Sequence, residues 1–163
     1  MSLNYGRSES AKTRLRLAIE HNFKKITQSE GYRHDMGDFY HRYVEPTTIA
    51  NRPAVVLISG PSTTLNDDMS DGLLHKQINY SGLAYLHENE DENLAREEFL
   101  CDIETMIGRN FTLPGEDGVE TCLLCQVSGD EPFGMVANKP QIGFAFGLKV
   151  IMRQLNDDAT VLG

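Results

Sequence analysis

A chain of 163 residues can bury roughly two-thirds of its unfolded surface, enough to own a core without disulfide staples. Its 40% apolar and 24% charged content fits a globular domain, and its longest apolar run, "AVVLI", falls far short of the about 20 residues a membrane-spanning helix needs. Net charge is −9, split as +3 over residues 1–30 and −12 over the rest; an acidic body argues against gripping a nucleic-acid backbone, which takes clustered cations.

The opening "MSLNYGRSES" has no apolar h-region, so it does not read as a secretory signal, and three cysteines in such a chain point to free thiols in a reducing compartment. Residues 10–28 place Ala11, Leu15, Ala18, Ile19, Phe23 and Ile26 at helical spacing. The rest of that helix is basic, with Lys12, Arg14, Arg16, Lys24 and Lys25. Ser8 or Ser10 suits its start and Gly31 its stop. Residues 39–44 are aromatic and β-branched and predict a strand; "EPTTIANRP" is a connector, and residues 54–59 predict a second strand.

At Gly60-Pro61 the sequence predicts a break into an acidic, flexible loop, "PSTTLNDDMSDG". A long strand follows, with Ile78, Tyr80, Gly82, Ala84 and Leu86 on one side and Gln77, Asn79, Ser81, Leu83, Tyr85 and His87 on the other. Asn89 and Glu92 have capping-box spacing ahead of a second helix, whose apolar stripe is Ala95, Phe99, Ile103 and Ile107 and whose end suits Gly108. A turn-rich link leads to a strand at about 120–127 and a loop over 129–140. In the last strand Ile142, Phe144, Phe146, Leu148, Val150 and Met152 alternate with polar or small residues. The sum is an α+β fold: a mixed, mostly antiparallel sheet of four to five strands with two main helices on one face. Residues 1–163 are expected as one domain, with 155–163 as a flexible tail.

The chemistry the residues could carry is thin. A phosphate loop takes several glycines, a lysine and a following helix; "SGPSTTLNDD" has one glycine, no lysine and a strand ahead. Read as an EF-hand from Asp67, the third and twelfth positions are Met69 and Ile78, so the pattern fails. Cys122 and Cys125 are three apart, which within a strand sets them on opposite faces and leaves them as buried structural thiols. "HDMGD" puts His34 near Asp35 and Asp38, but none of the five histidines adjoins a nucleophile motif. No catalytic, cofactor-binding or metal-binding residue is therefore predicted. A small metal- or ligand-binding enzyme using Asp67, Asp68, Asp71 and His75 is the alternative from a different class.

Order and punctuation resemble a family: an N-terminal helix ending in "GY", "PAVVLISG", "YSGLAYLHEN", "DIETMI" running into "NFTLPG", and "PQIGFAFGLKVIMRQ". Gly31, Tyr32, Pro53, Gly60, Asp102, Ile103, Glu104, Leu113 and Gly115 carry the likeness. The chain resembles the tail terminator (tail completion) proteins of long-tailed bacteriophages, with extra length in the 61–72 and 129–140 segments and the tail. The resemblance implies a non-enzymatic virion protein, assembled in the host cytoplasm, with no cofactor. It implies a homohexameric ring on the head-proximal end of the tail tube, which stops tube growth, meets the head-tail connector or neck protein and lets DNA pass through its lumen without specific binding. A neck or head-completion protein is the structural rival. Arg14, Arg16, Lys24, Lys25, Thr64, Asp67, Asp68 and Asp71 are the expected interface residues, pairing a basic helix with an acidic surface.

Overall fold

The structure, a computed structural model, describes residues 10–65, 73–87, 91–133, 135–136 and 139–155. Its elements run α1 (Ala11–Phe23), β1 (Phe39–Tyr40), β2 (Ala54–Thr64), β3 (Leu73–Tyr85), α2 (Glu92–Arg109), β4 (Leu124–Pro132), β5 (Met135–Val136), β6 (Lys139–Pro140) and β7 (Gly143–Leu155). The main sheet has order β1-β2-β3-β7-β4, with β1 parallel to β2 and the remaining neighbours antiparallel; β5 and β6 form a separate small ladder. This is the α+β architecture the sequence predicts.

Strand periodicity explains which face is covered. In β7, Phe144, Phe146, Leu148, Val150 and Met152 all point into one core with Ile78, Tyr80 and Ala84 of β3 and Val55 and Leu57 of β2. The apolar stripes of α1 (Ala11, Leu15, Ala18, Ile19, Phe23) and α2 (Ala95, Phe99, Ile103, Met106, Ile107) close that face. At Gly82 the predicted side is kept, but the space belongs to the Phe146 ring across the ladder: a Cβ there would overlap the ring. The Phe146 ring in turn packs, tilted, with its centroid 5.9 Å from that of Phe144 and 6.2 Å from that of Phe23, joining sheet to helix.

Among the described residues, the opposite face is covered at one end only. Ala54, Val56 and Tyr85 form a second small core with Ile49, against which Tyr40, Val44, Leu83 and Phe133 pack. Arg52 fastens this cover: its guanidinium donates to the Leu86 carbonyl at 2.9 Å, the Pro46 carbonyl at 2.9 Å and Gln141 Oε1 at 3.2 Å. Four successive residues, Ala54 to Leu57, are consequently buried.

Several boundaries differ from the sequence reading, each for a local reason. α1 ends at Phe23, and Gly31 instead closes a short 3-10 turn, Gln28–Glu30, with φ of 91°. The strand expected over 39–44 keeps only Phe39 and Tyr40, because β2 offers partners for just those two. β2 does not break at Gly60-Pro61. Ser59 pairs with Tyr80 and Ser62 with Ile78, so one extra residue bulges out and the ladder resumes to Thr64. Proline is tolerated there because β1 has ended and, among the described residues, that edge has no strand to donate to. The helix cap is Asp91, which accepts from Leu94 N at 3.0 Å, and not Asn89, which lies outside the described residues. Gly108 stays helical; Asn110 ends α2, its amide and side chain both donating to the Met106 carbonyl. β4 begins and ends about four residues later than expected and takes in the start of the 129–140 segment, the rest of which includes the β5–β6 ladder. Leu155 closes β7, and the remainder of the expected tail, 156–163, lies outside the described residues.

Candidate functional site

α1 is placed by its cap and its stripe. Ser10 Oγ accepts from Thr13 N at 3.1 Å, and the buried stripe fixes which way the basic residues turn. Asn22, buried within that stripe, donates to the Ala18 carbonyl at 2.7 Å and to the Pro114 carbonyl at 2.9 Å, tying α1 to the turn after α2. That turn is held from other sides too. Thr121 Oγ1 donates to the Leu113 carbonyl at 2.7 Å, and the Cys125 amide donates to the Phe111 carbonyl at 2.8 Å. Leu113 is fully buried with φ of 46°, a left-handed conformation that these bonds and the burial hold in place.

Between α1 and this turn runs an open groove of about 580 Å³. Arg14, Leu17, Ala18, Glu20, His21 and Lys24 form one wall, and residues 115–121 with Glu116, Asp117 and Val119 the other. Leu17 is 41% exposed and Val119 56%, so an apolar floor lies between a mainly basic and an acidic wall. A second depression adjoins it through Lys24, where Lys25 Nζ donates to Asn110 Oδ1 at 3.0 Å and the Arg109 guanidinium lies 5.1 Å over Tyr32. Cations at these two helix ends also offset the helix dipoles.

Of the expected interface residues, Arg14 and Lys24 line the groove. Arg16 is exposed on the same helix, and Lys25 turns to Asn110 in the second depression. Thr64 is not a loop residue; it pairs with Lys76 at the end of β2. Asp67, Asp68 and Asp71 lie outside the described residues. His75 sits in β3 opposite Arg153. Among the described residues no group of three His, Cys, Asp or Glu is placed to hold a metal ion, and no helix is long and apolar enough to cross a membrane.

Two local readings are revised, although the predicted burial of Cys122 and Cys125 holds. Cys122 precedes β4, so the opposite-faces argument does not apply: Cys122 and Cys125 are both buried in the main core. Burial pushes the Cys122 thiol up to about 12 and raises Cys125 as well. The "HDMGD" stretch is likewise not a cluster. Asp35 accepts from the Gln28 amide, and Asp38 from the amide and side chain of Asn51. His34 instead meets Asp102 of α2, Nδ1 to Oδ2 at 2.9 Å. Asp102 also accepts the backbone amides of Arg33 at 3.1 Å and His34 at 3.0 Å while only 3% exposed. Its signal was in the sequence: a carboxylate three residues after Phe99 and four before Met106, in the middle of an apolar stripe. His41 is half-buried, with desolvation lowering its pKa against the opposing pull of Glu20 at 3.7 Å.

No protein-family model matches the chain, and a comparison with curated proteins gives no match.

Proposed function

We propose that this chain is a structural subunit that closes into a homohexameric ring on the head-proximal end of a phage tail tube. There it stops tube growth and offers the surface to which the neck attaches. The observation that supports it most is the groove along α1. An exposed Leu17 and Val119 between opposite charges have the apolar centre and polar rim of a protein contact. The groove is shared by two unlike walls, so a neighbour fills it with a different part of its own surface. Contacts of that kind are heterologous, and they close into rings when the rotation per subunit divides the circle. The resemblance in element order supplies the place of such a ring.

Negative-stain microscopy of the concentrated protein tests the ring, with six-fold particles expected. Disrupting the gene in its phage is expected to give tails of irregular, excessive length that fail to join heads. A strictly monomeric protein, or normal tails without it, would sink the proposal.

A further inference from the structure

The two helices lie on the same face of the sheet but carry opposite charge. The exposed positions of α1 and its C-cap include Lys12, Arg16 and Lys24, while those of α2 include Glu92, Glu97 and Glu104. The residue spacing of the two outer faces also matches. Arg14, Leu17, His21 and Lys24 stand at i, i+3, i+7 and i+10 along α1, all four lining the groove. Leu94, Glu97, Cys101 and Glu104 stand at the same intervals along α2, all four exposed, with Leu94 53% so. Such residues share one helix face and span about 15 Å. Gly108 continues the α2 face with open space around it.

We propose that α2 of a second copy of this chain occupies the groove along α1, antiparallel to it, with Leu17 against Cys101, Arg14 beside Glu104 and His21 beside Glu97. This rests on the ring reading and names the surfaces that make its contact. The antiparallel register is chosen because it sets Leu17 on Cys101, the Arg14 cation on the Glu104 carboxylate and the His21 ring within reach of Glu97. It leaves Lys24 over Leu94, whereas the parallel one matches only Lys24 with Glu104. The parallel one sets Leu17 on Glu97 and Arg14 on Leu94. α2 packs on β4 and β7, and α1 reaches the β2 side, where Lys12 Nζ donates to Ser62 Oγ at 3.2 Å. The two faces thus sit toward opposite ends of the sheet, as a head-to-tail contact requires.

The test uses the full chain, with folding of each variant checked by circular dichroism and assembly read by mass photometry over a concentration series. Reversing one face, R14E with H21E or E97K with E104K, is expected to weaken association at least about a hundredfold. Combining both reversals is expected to restore it. Independently, Leu17→Cys treated with a short bis-maleimide is expected to give a covalent ladder through the native Cys101, lost on Cys101→Ser. Wild-type rings whose assembly ignores the charge reversals, or that give no Leu17→Cys ladder, overturn this pairing and leave the ring standing. A ladder from His21→Cys in place of Leu17→Cys overturns the antiparallel register. Wild-type protein that is monomeric at every concentration overturns ring and pairing together.

Discussion

Removing the Asp102 carboxylate should be among the most damaging single changes to the fold. The side chain accepts three hydrogen bonds, from two backbone amides and the His34 ring, all within 3.1 Å. Asp102→Ala leaves those donors facing the apolar flank of α2, where His34 already lies edge-on to Phe99 at 5.5 Å. Hydrogen bonds to a charged acceptor contribute about 1.5–3 kcal/mol each, but the freed Arg33 and His34 donors recover part of that from water. Arg33 is exposed and His34 half-buried, so we take about half the gross sum, a net loss of about 3 kcal/mol. For a domain of this size that is a fall of roughly 6–12 °C in melting temperature. Urea unfolding of wild type, Asp102→Ala and His34→Ala checks it, with His34→Ala expected to lose less because both amide bonds remain. A loss below about 0.5 kcal/mol for Asp102→Ala, the range of ordinary surface changes, would refute the claim that this carboxylate locks the 33–34 loop to α2.

In the folded, dissociated subunit, a thiol reagent at pH 8 should modify Cys101 quickly and leave Cys122 and Cys125 unmodified until unfolding. Three fast thiols would contradict their burial. Folded-state values for Cys122 and Tyr80 are raised to about 12, above the ordinary 9.0 and 10.0, so the unfolded chain ionises first as pH rises. Stability from these groups is therefore full below about pH 9 and falls between there and about pH 12, which a urea series across that range measures. His41 acts at the other end: its depressed value means that stability is lost as pH falls below its ordinary 6.5. Asp91→Ala removes the α2 cap and is expected to cost about 1 kcal/mol, recovered mostly by Asp91→Ser. Gly82→Val drives a side chain into the Phe146 ring and is expected to cost about 1–3 kcal/mol, and Gly82→Val with Phe146→Leu less than the single change.

The layers of the fold were legible because burial imposes period on sequence. β7 and β3 declared their faces by strict alternation, and both helices by their stripes, so every residue assigned inward in β7 is in the core. What misled was punctuation. Gly60-Pro61 has the composition of a chain reversal, yet its effect depends on whether a neighbouring strand needs the missing donor, and that is fixed by where β1 stops. Asn89 and Gly108 fitted capping patterns, but Asp91 and Asn110 lay closer to the true ends with side chains able to make the bonds. The basic face of α1 was legible as charge; its groove was not, because the facing wall at 115–121 comes from a turn nearly a hundred residues away. Asp102 carried a sequence signal, while its partner His34 could be found only in three dimensions.

The one-sided cover over Ala54–Leu57 divides the sheet along its length. At that end the ladder is enclosed by apolar side chains above and below, while farther along β2 and β3 the described residues close only the helical side. Amide exchange should therefore be graded within single strands, slowest near Val56 and Ala84 and progressively faster toward Thr64 and His75. A subunit built this way has a stiff root and a compliant tip. Strain applied at the tip would be absorbed locally, while the root kept its shape.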